Sequence, residues 1–378
     1  MDYQYNDILG FRLREARVAR GYSLEDLAKK IGITRQSLSK YENSGMNIQY
    51  ENLIKISNVL DFPISFFKKP KESSGIGNSP VFFRSLRQTT AKVKESLSQN
   101  VDFLEEIYSY FGKYINFPPV DIGEDINKNY KIGISDEYIE EIALNLREHW
   151  GLGNQPINNL VDLLQRKGFI ISRIELSTHK VDAFSSISKK GIPFIILGND
   201  KESAVRSRMD CAHELGHIVL HSHLTYDEFR KNYTMIEDEA NRFASAFLLP
   251  AETFSEDIFT INLDSFIYLK QKWKVSIAAM IVRAHNLKII TDDQYSYLFK
   301  RISAKKWRVK EPLDDSFKVE EPELLKQAVN LLIDNNILDK EKMIYDLSLC
   351  KKDIENLCCL EQNYLGEDIN KPILRIIK

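Results

Sequence analysis

The stretch AHELGHIVLH at residues 212–221, read together with EDEANRFASAFLLP at 237–250, decides how this chain is interpreted. Residues four apart on a helix share a face, so His213 and His217 can present two imidazoles to one point. Glu214 follows the first histidine and can stand beside an ion without ligating it. Glu237, separated from His217 by nineteen residues, opens a second segment with helical periodicity and offers a carboxylate. Two imidazoles, a carboxylate from a later helix and a further glutamate are the side chains a zinc hydrolase needs, with Glu214 as general base. Apolar Ile218, Val219 and Leu220 carry the first helix past the ligands. Asn241 lies four residues after Glu237, on the same face, where it can hydrogen-bond a ligand from behind.

Other residues compete for the third ligand position. His223 falls six residues after His217, as in the HExxHxxGxxH pattern, but that pattern needs a glycine where this chain has Leu220. A leucine there keeps the helix going and carries His223 away. Glu239 faces a different side of its helix from Glu237. His221 is rotated off the site by about 40° of helical drift and reads as a packed histidine. The order of expectation is therefore Glu237, then His223, then Glu239. Zinc suits such a set with a fourth position open to water, although manganese or iron would also be accepted. A bound ion lowers the pKa of that water to about 7. Glu214 would take the water's proton and hand it to a leaving amine. A donor for the oxyanion is also expected, with Tyr226, Tyr233, His179 and His285 as open alternatives.

The stretches RSRMDCAHELGHIVLH and EDEANRFASAFLLP, with VDAFSS and PFIILGND upstream, resemble the ImmA/IrrE family of zinc metallopeptidases, the M78 group. The likeness covers roughly residues 85–305. It implies His213, His217 and Glu237 as zinc ligands and Glu214 as catalytic base. It also implies cleavage of a repressor or other regulatory protein in a stress, mobile-element or phage-related response.

Upstream, SLEDLAKKIGITRQSLSKYENSG at 23–45 reads as two short helices around a turn. Ser23 is a good N-cap with Asp26 as its acidic partner, Gly32 stops the first helix, and Thr34 caps the second. This segment resembles the Xre/Cro-type helix-turn-helix family over about residues 7–67. The resemblance implies that the second helix enters the DNA major groove, with Arg35, Gln36, Ser39 and Lys40 outward and Leu38 and Tyr41 inward. Arg can pair with guanine and Gln with adenine, while Thr34 and Ser37 could reach phosphates. Many such proteins carry a phosphate-binding Gln where this chain has Leu24, and Glu25 and Asp26 add negative charge nearby. The rival reading is a helix-turn-helix reused for protein docking or dimerisation. A homodimer is expected if the module reads two half-sites.

The 378 residues allow two or three domains. A net charge of −2 argues for neither nucleic acid nor membrane as a global partner, but residues 1–71 hold 12 Lys and Arg against 8 Asp and Glu. The start MDYQYND lacks the basic and apolar regions of a secretory signal, and no apolar run approaches a membrane span. Cys211, Cys350, Cys358 and Cys359 form no CxxC pair, which suits a reducing cytoplasm.

The expected fold is α+β and mainly α. A helix-turn-helix domain at 1–67 leads through a linker at 68–84 to a zincin-like metallopeptidase domain with a small sheet at 85–305. A helical tail of unknown role follows at 306–378. Two other functions stay open: a transcription factor whose zincin domain senses metal, ligand or partner without proteolysis, and an antitoxin or defence-system regulator.

Overall fold

The N-terminal residues build four helices: α1 (Gly10–Ala19), α2 (Leu24–Ile31), α3 (Arg35–Ser44) and α4 (Tyr50–Leu60). A computed structural model of the chain describes residues 4–5, 7–44, 48–71, 82–83, 90–123, 126–128, 130–176, 181–199 and 203–366. Ser23 and Asp26 form a reciprocal capping box at the start of α2, and Gly32 ends that helix at φ 76°. Leu13, Ala16, Leu27, Leu38, Leu53 and Leu60 are fully buried between these helices. Arg17 on α1 holds Glu42 on α3 at 2.5 Å and donates to the Tyr22 carbonyl at 2.7 Å. Strands β1 (Gln4–Tyr5) and β2 (Ile48–Gln49) form a short antiparallel pair.

The chain divides into two compact units, and the division departs from the expected boundaries. One unit contains residues 1–75, 88–116 and 323–378; the other contains 76–87 and 117–322. Helix α5 (Ala91–Phe111) therefore belongs with the helix-turn-helix, not with the metallopeptidase. Its partners explain why. Glu106 on α5 pairs with the fully buried Arg12 at 2.6 Å, Asp102 with Lys71 at 3.2 Å, and Phe103 packs tilted on Phe62 and edge-on to Phe66. Lys69 donates to the carbonyls of Asp346 and Leu347, so residues 68–71 are packed rather than loose. Residues 72–81 and 84 of the expected linker lie outside the described residues.

In the second unit, β3 (Phe82–Phe83) and the helices α6 (Asp136–His149) and α7 (Leu160–Arg166) precede three longer strands. These are β4 (Ile170–Ile174), β5 (Ala183–Ile187) and β6 (Pro193–Gly198). The sheet order is β3-β5-β6-β4. β5 and β6 form an antiparallel hairpin; β4 runs parallel to β6, and β3, placed in the linker by sequence, is an antiparallel edge. Strand β5 places Ala183 and Ser185 on one face by its two-residue period. Against this sheet packs α8 (Ala204–His221).

The short helix α9 (Tyr226–Lys231) leads to α10 (Tyr233–Leu248), which packs on both α8 and α6. The sequence reading started α10 at Glu237; the helix begins one turn earlier, so Glu237 sits in its second turn. Arg147 on α6 is wholly buried and donates to the carbonyls of Phe247, Gly153 and Gln155. Burial pushes its guanidinium down to about 10, and three carbonyls compensate for the lost water.

Helices α11 (Ala251–Glu256), α12 (Leu263–Trp273), α13 (Ile277–Asn286) and α14 (Asp292–Ala304) complete the helical side. Residues 306–322, expected in a separate tail, belong to this unit. Glu311 caps α13 through the amides of Ile277 and Ala278, and Glu320 caps α7 through those of Leu160 and Val161. Only then does the chain return to the first unit with α15 (Leu324–Asp334), α16 (Lys340–Leu347) and α17 (Lys351–Leu357). There Asp353 pairs with Arg20 of α1's C-cap at 2.8 Å. Among the described residues, no helix is long and apolar enough to cross a membrane.

Candidate metal centre and recognition helix

Gly216, inside the HELGH pentad, governs how close α8 and α10 come. A methyl built on it would lie 3.1 Å from the Ala240 carbonyl oxygen and 3.1 Å from the Phe243 ring. With no side chain there, the backbones meet closely enough for Glu237 on α10 to reach the two histidines of α8. Ligand atoms of His213, His217 and Glu237 all lie within 4.8 Å of one another. The two Nε2 atoms are 3.0 Å apart, and each is 3.4 Å from a Glu237 carboxylate oxygen. His213 and His217 are essentially inaccessible to solvent.

The protons behind these atoms show what the centre can hold. His213 Nδ1 is 3.0 Å from Asn241 Oδ1, the contact expected for Asn241. His217 Nδ1 is 3.0 Å from His221 Nδ1, and His221 Nε2 is 3.0 Å from Glu239 Oε2. A neutral imidazole has one N–H. When both rings donate through Nδ1, both Nε2 atoms are bare lone pairs facing each other. Burial pushes the His217 imidazole down to about 3, so it stays neutral. Glu237 Oε1 is buried with no hydrogen-bond partner among the described residues. Converging lone pairs and a carboxylate repel one another unless a cation lies between them, so these residues fit a metal ion.

Glu214 is fully buried next to the ligands and accepts a 2.6 Å hydrogen bond from the Ser185 hydroxyl on β5. Sequence reading did not find Ser185. It also read His221 as merely packed and Glu239 as facing elsewhere. Neither joins the ligand cluster, but together they stand behind His217. The usable signal was the second four-residue step, His217 to His221. His223 stays outside the cluster, its ring edge-on to Tyr130 at 5.1 Å. Of the oxyanion alternatives, His285 pairs with Asp292 at 2.7 Å and Tyr226 is half exposed. Tyr233 packs on Phe229, which packs on His217, and His179 lies outside the described residues.

Residues 164–285, from α7 to α13, match the IrrE N-terminal-like domain of the M78 peptidase family, and residues 13–67 match a helix-turn-helix family. The chain carries an M78 domain behind a helix-turn-helix domain. A putative HTH-type transcriptional regulatory protein of Methanocella arvoryzae is 44% identical over 61 residues, 16% of this chain and 18% of that protein. An uncharacterized HTH-type transcriptional regulator of Sinorhizobium medicae is 36% identical over 72 residues, 19% of this chain and 52% of its own length. The HTH-type transcriptional regulator ImmR of Bacillus subtilis is 26% identical over 87 residues, 23% of this chain and 68% of that protein. The chain thus spans about a fifth and about half of the first two relatives.

In the helix-turn-helix domain, α3 presents Arg35, Gln36 and Lys40 to solvent, with Ser39 half-buried and Leu38 fully buried. Tyr41, expected inside, is half-buried and accepts from Asn52 at 3.4 Å. Thr34 caps α3 by accepting from the Ser37 amide at 3.1 Å. The Ser23 hydroxyl and amide hold the nearby Asp26 carboxyl down to about 2.

Proposed function

We propose that the chain is a zinc-dependent endopeptidase coupled to a DNA-binding transcriptional regulator, acting on a repressor or another regulatory protein. One observation carries this reading: two buried imidazole nitrogens and a carboxylate converge in the M78 domain beside a buried glutamate that binds none of them. When bound, zinc would polarise the scissile carbonyl and acidify a water molecule. His213, His217 and Glu237 would hold it. Glu214 would accept the water's proton and later deliver it to the departing amine. Ser185 would fix one carboxylate oxygen of Glu214 and so aim the other. Arg35, Gln36, Ser39 and Lys40 would contact double-stranded DNA from α3, and a homodimer would read two half-sites.

The regulator names of the relatives favour a second reading, in which the M78 domain senses metal or a partner without proteolysis. Glu214→Gln separates the two. The variant should keep stoichiometric zinc and DNA binding while its cleavage products vanish from comparative proteomics. An unchanged cleavage profile, or an unchanged regulatory phenotype, rejects the peptidase.

A further inference from the structure

Behind His217 lies a chain of hydrogen bonds longer than a ligand histidine needs. His217 Nδ1 meets His221 Nδ1 at 3.0 Å, and His221 Nε2 meets Glu239 Oε2 at 3.0 Å. The same oxygen receives the Tyr130 hydroxyl at 2.6 Å, and Glu239 Oε1 receives the Gly133 amide at 2.7 Å. His217, His221, Glu239 and Tyr130 are all buried, so no water competes for these groups. Tyr130 also packs edge-on to the His221 ring at 5.4 Å. Asn127 reaches the Val219 carbonyl, which fastens the segment carrying Tyr130 to α8.

Counting donors gives the chain a direction. Tyr130 and Gly133 donate to Glu239, which accepts from His221 Nε2–H as well. A neutral His221 has then spent its only proton, and its Nδ1 can only accept. The N–H between the two rings must therefore belong to His217 Nδ1. That leaves His217 Nε2 bare. Without the chain, the other tautomer of His217 would put a proton where the ion belongs.

We propose that His221 and Glu239 are positioning residues that lock the ligating tautomer and orientation of His217, and so set how tightly the centre holds its ion. This rests on reading His213, His217 and Glu237 as a metal centre. Tyr130 and Gly133 lie outside residues 164–285, so the anchor of the chain comes from beyond the matched M78 segment.

The test is zinc affinity of the full-length protein, measured by competition with a chelating dye, with thermal unfolding of each metal-free variant alongside. His221→Leu removes the acceptor and should weaken zinc by roughly 10–100-fold, the range for partners behind a ligand. His221→Gln restores a carbonyl acceptor and should recover most of that loss. Glu239→Gln should weaken zinc, and Tyr130→Phe, which keeps ring and packing, should do so by a smaller factor. If His221→Leu does not fold, the contrast of His221→Gln with Tyr130→Phe and Glu239→Gln decides.

A purely structural role predicts lower metal-free stability, unchanged affinity of the folded protein and no rescue by Gln; that pattern overturns the proposal. A zinc-binding wild type whose variants all bind equally well overturns this proposal alone. A wild type without stoichiometric zinc overturns the metal-centre reading and this proposal with it.

Discussion

Replacing Gly216 with alanine should loosen the proposed metal centre without removing any of its three candidate ligands. The new methyl would stand 3.1 Å from the Ala240 carbonyl oxygen, 3.1 Å from Phe243 Cδ1 and 3.3 Å from Ala240 Cα. Two of these atoms are backbone, so the neighbour can yield only if α10 moves by a few tenths of an ångström. Overpacking of this size costs about 1–3 kcal/mol. Alanine regains about 1 kcal/mol of helix propensity over glycine. The net loss of stability is therefore small, about 0–2 kcal/mol by these two figures.

The effect on metal should be larger than that. Ala240 is three residues from Glu237, so the same displacement carries the carboxylate outward. Metal–ligand distances in well-formed sites lie within about 0.2 Å of their preferred values. We expect zinc affinity in the dye competition to fall about tenfold or more for Gly216→Ala, a loss of the size seen when a site's support is disturbed. Gly216→Val should do worse and should also unfold earlier. A Gly216→Ala protein that melts higher than wild type and binds zinc equally well would refute the close approach of α8 and α10 as the constraint.

Three further outcomes follow from other parts of the molecule. A Cβ on Gly10 would collide with the carbonyl oxygens of Tyr41 and Glu42, so Gly10→Ala should destabilise the first unit by about 3 kcal/mol or more, read by denaturant unfolding. Lys270 is fully buried between Glu311 at 2.8 Å and Asp314 at 2.6 Å. Lys270→Met should cost about 3–5 kcal/mol by stranding two carboxylates, and adding Glu311→Gln and Asp314→Asn should return part of it. The Asp26 carboxyl, held at about 2 by Ser23, should titrate there in an NMR pH series and move up in Ser23→Ala. Because its folded pKa is depressed, its contribution to stability is full above about pH 4 and fades as pH falls through about 2.

The candidate metal centre was legible because its chemistry is written in local spacing. His213 and His217 share a face by arithmetic alone, and the helical pattern after Glu237 announced a second helix. Ser185 was not legible, since nothing near it in sequence names Glu214; only the packing of α8 on the sheet brings the two together. Helical rotation keeps His221 out of the His213–His217–Glu237 cluster, yet the same rotation aims it at the back of His217. The β-rich runs at 183–187 and 193–197, with Lys189-Lys190-Gly191 as the turn between them, read as a hairpin from sequence alone, and β5 and β6 form it. The parallel placement of β4 beside β6 was not legible, because parallel pairing is non-local. The assignment of α5 and of residues 306–322 failed for a related reason. An amphipathic helix advertises an apolar face but not its partner, and Glu106, Glu311 and Glu320 gain meaning only from the distant arginine, lysine and amide groups they meet.

The first unit is assembled from three separated stretches, with the M78 domain strung between the second and third. On a ribosome, α1 to α5 emerge early, but Asp346 and Asp353, which close on Lys69 and Arg20, arrive more than 230 residues after α5. The helix-turn-helix unit therefore completes its contacts only after the M78 domain has been synthesised. The same topology means that a nick between the units would not by itself set the N-terminal fragment adrift, because α16 and α17 would still hold it.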